Sequence, residues 1–173
     1  MSPHWEPLES SDLDRVDAIQ RVIHAGLPER RELLAEKRDL FPEGCRRLMR
    51  HGGMVGYALA HPWRLEDVPV LNAQLGALPP YPDCLHMHDV AILPEGRGAG
   101  AAGDYVRHLV GLARKTGIGA LACVSVYGTS SLWARHGFRP LSPDGAVGDA
   151  RASSALASYG EGAVYMVAEI GRG

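Results

Sequence analysis

Apolar and polar positions follow two periods along the chain. In "SSDLDRVDAIQRVIHAG", Leu13, Val16, Ile19, Val22 and Ile23 recur at helical spacing, and Ser10 or Ser11 can cap the start. Gly26 is expected to stop that helix. Pro28 is expected to open a second one, "PERRELLAEKRDLF", with Leu33, Leu34, Lys37 and Leu40 on one side and Pro42 at its end. A third, "AGAAGDYVRHLVGLARKTG", buries Tyr105, Val106, Leu109, Val110, Leu112 and Ala113 and stops at Gly117. "SSLWARHG" is a short fourth helix.

Strand-like runs lie between these. His4 to Leu8 is a short first strand. "CRRLMRH" and "MVGYALAHPW" flank Gly52-Gly53 and read as a β-hairpin. "LHMHDVAIL" is a strand closed by Pro94. "GALACVSVY" is nearly continuously apolar, which suits a central strand. "AVYMVAEI" is the last. The four prolines of "RLEDVPVLNAQLGALPPYPDC" mark a long connection, and long loops in compact domains often carry function. Residues 142–162, rich in Ser, Ala, Gly and Asp, are expected to form a flexible insertion. The order β-α-α-β-β-β-α-β-α-β predicts one α/β or α+β domain over residues 1–173, with a mixed sheet and no internal repeats.

Composition narrows the function. The chain has 173 residues, 46% hydrophobic and 22% charged, as in a globular protein with its own core. A formal net charge of -2 without a basic tail or stripe gives no reason to expect a nucleic acid partner. No apolar run reaches the length of a bilayer span, and the first residues lack a signal pattern. A cytoplasmic protein without membrane contact is expected. Cys45, Cys84 and Cys123 are far apart and form no CxxC, so buried reduced thiols are expected rather than disulfides or a zinc ribbon.

The chemistry concentrates in "LHMHDVAILPEGRGAGAAGDYV". Where the strand hands over to the helix, glycines allow close approach to the backbone. The first helical turn offers unpaired N–H groups and partial positive charge, which suits a phosphate or diphosphate, and Arg97 adds a fixed charge. No Gly-Lys-Ser/Thr follows, so this is not a Walker loop, and the spacing is not a Rossmann fingerprint. A glycine turn used only for packing is the alternative reading. Upstream, His86 and His88 fall on one face of a strand and Asp89 on the other. Imidazole accepts a proton near neutrality. An amine of pKa near 10 is neutral in roughly one molecule in a thousand at pH 7, so acyl transfer to it gains from such a base. His-x-His is also a metal-ligand spacing, but His51, His61 and Asp83 offer no telling third position and no metal is expected. Two ordinary core or surface histidines are a further reading.

Arg97-x-x-Gly100-x-Ala102, after "VAILPEG" and before an amphipathic helix, resembles the acyl-coenzyme A signature of the GCN5-related N-acetyltransferases. "LWARHGF" is similar to that family's short helix and Gly-Phe pair, and the element order agrees from about Trp5 to Phe138 and at the last strand. "HMHDVAIL" and "AHPW" resemble the arylalkylamine, or serotonin, N-acetyltransferase branch. The resemblance implies a mixed, mostly antiparallel sheet, flanked by helices and splayed where acetyl-CoA binds as co-substrate. The pantetheine arm would lie along Val90, Ala91 and Ile92, and the diphosphate on Arg97, Gly98, Ala99, Gly100, Ala101 and Ala102. It also implies His86 and His88 as bases and a backbone N–H at a bulge near Ile92 as oxyanion donor.

The family's extra basic residues in the turn are here Ala99 and Gly103. Its usual tyrosine acid is Trp133, so Tyr127 is the expected substitute as proton donor, with a proton from bulk water as the alternative. Trp63, Pro79, Pro80 and Tyr81 are expected to line an apolar acceptor pocket, with Glu29 or Glu32 able to hold an ammonium. The implied activity is acetyl transfer to a small primary amine by direct attack. A non-catalytic acyl-CoA-binding domain, a metalloenzyme and a protein N-terminal acetyltransferase are the alternatives, and a homodimer stays open.

Overall fold

The structure, a computed structural model, describes residues 1–144 and 147–171. Its elements are β1 (His4–Pro7), α1 (Leu13–Ile23), α2 (Arg31–Leu40), β2 (Arg46–Arg50), β3 (Gly53–Trp63), β4 (Cys84–Ile92), α3 (Ala101–Thr116), β5 (Ala120–Ser125), α4 (Ser130–Ala134), β6 (Arg139–Pro140), α5 (Ala150–Ala157) and β7 (Val164–Glu169). The strands form one open sheet in the order β1-β2-β3-β4-β5-β7-β6. All neighbours are antiparallel except β4 and β5, whose pairing is parallel. The apolar run of β5 is explained by its interior place in the sheet.

The β4–β5 ladder is short. It pairs Leu85, His86 and Met87 with Leu121, Ala122 and Cys123 and then ends. Beyond it β4 runs on to Ile92 and β5 to Ser125 without pairing to each other. The sheet is therefore splayed between them, and each strand presents a free backbone edge there. The helices close both faces. Tyr105, Val106 and Leu109 of α3 pack on Leu85, Met87 and Leu121, while Val16 and Ile19 of α1 join Leu34, Tyr57 and Leu59. Cys45, Cys84 and Cys123 are free and buried.

Four expectations change. The hairpin turns at His51 and Gly52, with φ of 50° and 76°, and Gly53 already belongs to β3. Two positive-φ residues are what a tight right-twisted hairpin demands. The first helix ends at Ile23, ahead of Gly26, and His24 leaves helical geometry at φ -113° and ψ 42°. The second begins at Arg31, because Pro28 to Arg30 stay outside the helix, with Arg30 in extended geometry. There the Gln20 side chain replaces helical bonding: its Nε2 donates to the Glu29 carbonyl at 2.5 Å and its Oε1 accepts from the Glu29 N–H at 2.9 Å.

The fourth concerns residues 142–162, of which 145 and 146 lie outside the described residues. Instead of a flexible insertion, this segment holds α5, capped by Asp149 through the Ala152 N–H at 2.7 Å. Ala152, Ala155 and Tyr159 are buried. Alanine is the best helix former, and small residues bring a helix close to its neighbour. The segment clasps the connection between β3 and β4: Tyr159 Oη donates to the Pro69 carbonyl at 2.6 Å, and Ser158 Oγ accepts from the Leu71 N–H at 3.0 Å.

Candidate active site

The splay opens into a cavity of about 910 Å³. Val90 and Ile92 of β4 form one wall, Val124 and Val126 the opposite one, with Trp133 of α4 close by. Ala91 is fully buried on the other face of β4, so only its backbone can serve this side.

The glycine turn closes one end. Gly98 and Gly100 hold φ of 83° and 77°, the left-handed region that glycine adopts freely. A Cβ at either would meet nothing within 4 Å, so the loop surface is open rather than packed. Among the described residues, the N–H groups from Gly98 to Gly103 find no acceptor within the chain, and the first helical bond here runs from Asp104 to the Gly100 carbonyl. Trp5 Nε1 fixes the start of α3 by donating to the Ala101 carbonyl at 2.7 Å. Arg97 Nε is tied to the Ile92 carbonyl at 2.9 Å. Arg97, Gly98, Gly100, Ala101 and Ala102 line the cavity, whereas Ala99 faces outward.

At the other end stand two carboxylate–imidazole pairs. Leu59 pairs with Asp89 but Ala60 with Met87, so His88 is an extra residue bulged out of the β3–β4 ladder. The bulge falls at His88 rather than near Ile92, and it breaks strand alternation. His88 and Asp89 both line the cavity, while His86 does not. His86 is 1% exposed, beside His61. Burial, with His61 and His88 as neighbours, holds it well below the usual histidine range, so it is neutral at pH 7 and a weak base.

His88 Nε2 lies 2.6 Å from Glu29 Oε1. Glu29 Oε2 accepts the Asn72 N–H at 3.0 Å and lies 3.8 Å from Lys37 Nζ. Burial alone would raise the Glu29 carboxyl, but the charge and hydrogen bond of His88, with help from Lys37 and Asn72, lower it to about 2. An ionised carboxylate only accepts, so Nε2 of His88 donates to it. Nδ1 of His88 is buried and has no hydrogen-bond partner among the described residues.

The second pair joins α1 to β4. His24 Nε2 lies 2.7 Å from Asp89 Oδ1, and Tyr57 Oη donates to Asp89 Oδ2 at 2.5 Å. His24 Nδ1 reaches Tyr127 Oη at 3.3 Å, with the rings stacked at 5.8 Å. Burial opposes charge on His24, but the Asp89 carboxylate outweighs it and raises the imidazole above its usual range. Tyr127, at φ 55°, lies two residues past the end of β5 and lines the cavity.

The acceptor prediction needs correction. Tyr81 is 82% exposed and Trp63 packs edge-on against His61; neither lines the cavity. The prolines before Tyr81 carry that stretch over the surface. Leu27, Leu71 and Tyr159 line the cavity instead. Of the two candidate glutamates, Glu29 is inside and Glu32 is on the surface. The sequence signalled His88, Tyr127 and Glu29 but not His24, Asp89 or Tyr57. Among the described residues no group of three or more His, Cys, Asp or Glu is arranged to hold a metal ion, and no helix is long and apolar enough to cross a membrane.

No family model and no curated protein matches the chain. Solved structures do. N-acetylglutamate synthase from Neisseria gonorrhoeae, complexed with coenzyme A and N-acetyl-glutamate, superposes with a TM-score of 0.72 at 20% identity, over 99% of this chain and 36% of that one. The chain thus spans about a third of that enzyme's length. The loading GNATL domain of CurA from Lyngbya majuscula gives 0.75 at 13% identity, over 98% of each chain. The ribosomal-protein-S18-alanine N-acetyltransferase from Escherichia coli gives 0.64 at 17%, over 97% of this chain and 94% of that one. With its splayed seven-stranded sheet and flanking helices, the chain has the fold of the GCN5-related N-acetyltransferases.

Proposed function

We propose that the protein transfers an acetyl group from acetyl-CoA to the nitrogen of a small primary amine by direct attack. One observation carries the reading. A single cavity holds, at one end, a turn of partnerless N–H groups suited to a diphosphate and, at the other, an imidazole oriented by a buried carboxylate. The free edge of β4 at Val90 to Ile92 lies between them and fits an extended amide-bearing arm.

The residues divide the proton work. His88 Nδ1 takes the proton that the amine must lose, and Glu29 stabilises the imidazolium that results. His86 backs His88 without meeting the substrate. As the carbon–sulfur bond breaks, Tyr127 Oη gives its proton to the leaving thiolate and takes one from His24 Nδ1, whose charged form Asp89 favours. No acyl-enzyme is formed, and the buried cysteines are inert: burial raises Cys123 above the ordinary thiol range and Cys45 to about 12. Leu27, Leu71 and Tyr159 favour an acceptor with an apolar or aromatic body.

The test is CoA release from acetyl-CoA across a panel of primary amines and short peptides with free N-termini. Peptides are included because the Escherichia coli neighbour is an alanine N-acetyltransferase. Release with aromatic or aliphatic amines, lost in His88→Ala, is expected. CoA binding without release for any acceptor sinks the catalytic reading in favour of a binding domain, and release with peptides alone moves the protein to N-terminal acetylation.

A further inference from the structure

Lys37 stands on the buried side of α2, in one stripe with Leu33 and Leu34. Its side chain is 0% exposed, whereas Lys115, the other lysine of the chain, lies on the surface. A buried ammonium is costly unless an anion meets it, and an apolar residue in the same stripe carries no such cost. Lys37 Nζ donates to the Leu33 carbonyl at 3.3 Å and lies 3.8 Å from Glu29 Oε2. Glu29 Oε1 meets His88 Nε2 at 2.6 Å. The carboxylate thus sits between an ammonium and an imidazole, and none of the three side chains is more than 5% exposed.

Charge balance decides where the proton rests. With Glu29 ionised and Lys37 charged, the trio is neutral as long as the His88 ring is neutral. Protonating that ring adds a net charge where water does not screen it. It also puts an N–H on Nδ1, which is buried and has no acceptor among the described residues. Without the ammonium the balance reverses, because only an imidazolium is then left to neutralise the Glu29 carboxylate.

The other groups around the ring leave this balance unchanged. His61 of β3 and His86 of β4 stand 5.7 Å and 6.0 Å from it between ring centroids, and burial holds both well below the usual histidine range, hence neutral. On α1, His24 is matched by Asp89 of β4, which also accepts from Tyr57 of β3. Burial keeps the hydroxyls of Tyr57 and of Tyr159, beyond α5, above the ordinary phenol range, so both are uncharged.

We propose that Lys37 is a positioning residue for acetyl transfer: as the buried counter-ion of Glu29, it keeps the His88 ring uncharged and ready to take the proton of the amine. The proposal rests on the transferase reading above, in which His88 is the base.

Two measurements test it. Nitrogen-resolved NMR at pH 7, with the His88 ring assigned by its loss in His88→Ala, is expected to show one protonated ring nitrogen in wild type and two in Lys37→Met. The acid limb of kcat/KM against pH, for an amine that wild type acetylates, is expected to move up by about one pH unit in Lys37→Met. That costs about tenfold on the acid side and leaves the alkaline plateau in place. Lys37→Arg keeps the charge and should return the limb toward its wild-type position. A lysine with only a structural part would lower the whole profile and leave the limb where it was. A doubly protonated His88 ring in wild type overturns the proposal without any variant, so the test survives a Lys37→Met protein that does not fold. A folded Lys37→Met with a neutral ring and an unmoved limb overturns it and leaves the transferase reading intact. Wild type that releases CoA with no acceptor overturns the transferase reading and the part of Lys37 with it.

Discussion

Glu29 Oε1 stands 2.6 Å from His88 Nε2, although 59 residues separate the two in the chain. The glutamate reaches that place because Pro28 to Arg30 stay outside the helix and Gln20 bonds both backbone groups of Glu29. The contact is buried on both sides, at 1% and 5% side-chain exposure. A buried pair of this kind is costly to break from one side only.

Glu29→Gln removes the charge that orients and supports His88. It is expected to lower kcat for amine acetylation more than KM, and to cost roughly 3–5 kcal/mol of stability by leaving Lys37 and His88 without their anion. His88→Ala should lower kcat by roughly two to four orders of magnitude. Chemical denaturation and steady-state kinetics measure both. A His88→Ala enzyme with wild-type kcat removes His88 from the chemistry.

Glu29 also makes the fold acid-sensitive. Its carboxyl is depressed from 4.5 to about 2, so its contribution is fully present above about 4.5 and is lost as pH falls toward 2. Wild type should lose stability over that window relative to Glu29→Gln. Parallel acid-denaturation curves for the two proteins would contradict the pair.

The His24–Asp89 pair has the opposite sign. The imidazole is raised above 6.5, so its stabilisation is complete below that value and is lost as pH rises through the folded value. His24→Asn should flatten the alkaline fall in stability and lower kcat. Tyr127→Phe should lower kcat while leaving CoA affinity unchanged. Nitrogen-resolved NMR of the His24 ring reads the protonation state directly; a neutral ring at pH 7 denies it the role of donor.

Gly100 is the residue whose backbone sets the turn. At φ 77°, any side chain strains it by about 1–2 kcal/mol. Gly100→Val is expected to weaken CoA binding strongly while the melting temperature falls by only a few degrees. Calorimetry and a melt on the same sample separate binding from folding.

Tyr159→Phe removes the buried hydroxyl that holds Pro69. The carbonyl left behind costs roughly 1–3 kcal/mol, and loosening of the connection carrying Leu71 should raise KM for the amine more than it changes kcat. Hydrogen exchange of residues 64–83 would show the same loosening.

Local chemistry was legible in the sequence and long-range chemistry was not. The turn from Pro94 to Ala102 could be read because strand end, glycines and helix start are contiguous and each obeys its own rule. His88 could be placed on its strand from the local pattern, and Tyr127 just past the end of the next one. Strand alternation places Asp89 on the opposite face from His88; the bulge at His88, a matter of pairing with Ala60 and Leu59, overrides it and leaves no mark in the residues themselves. His24 looked like the tail of a helix; its partner lies 65 residues away. Residues 142–162 looked unstructured because small and polar residues pack only when a neighbour, here Pro69 and Leu71, is already in place.

One carboxylate serves two masters: Glu29 receives the Asn72 amide through one oxygen and the His88 ring through the other. On the proposed reading, any exchange of the 64–83 segment to admit a different amine also retunes the proton acceptor, so selectivity and turnover are geared together through the Asn72 contact.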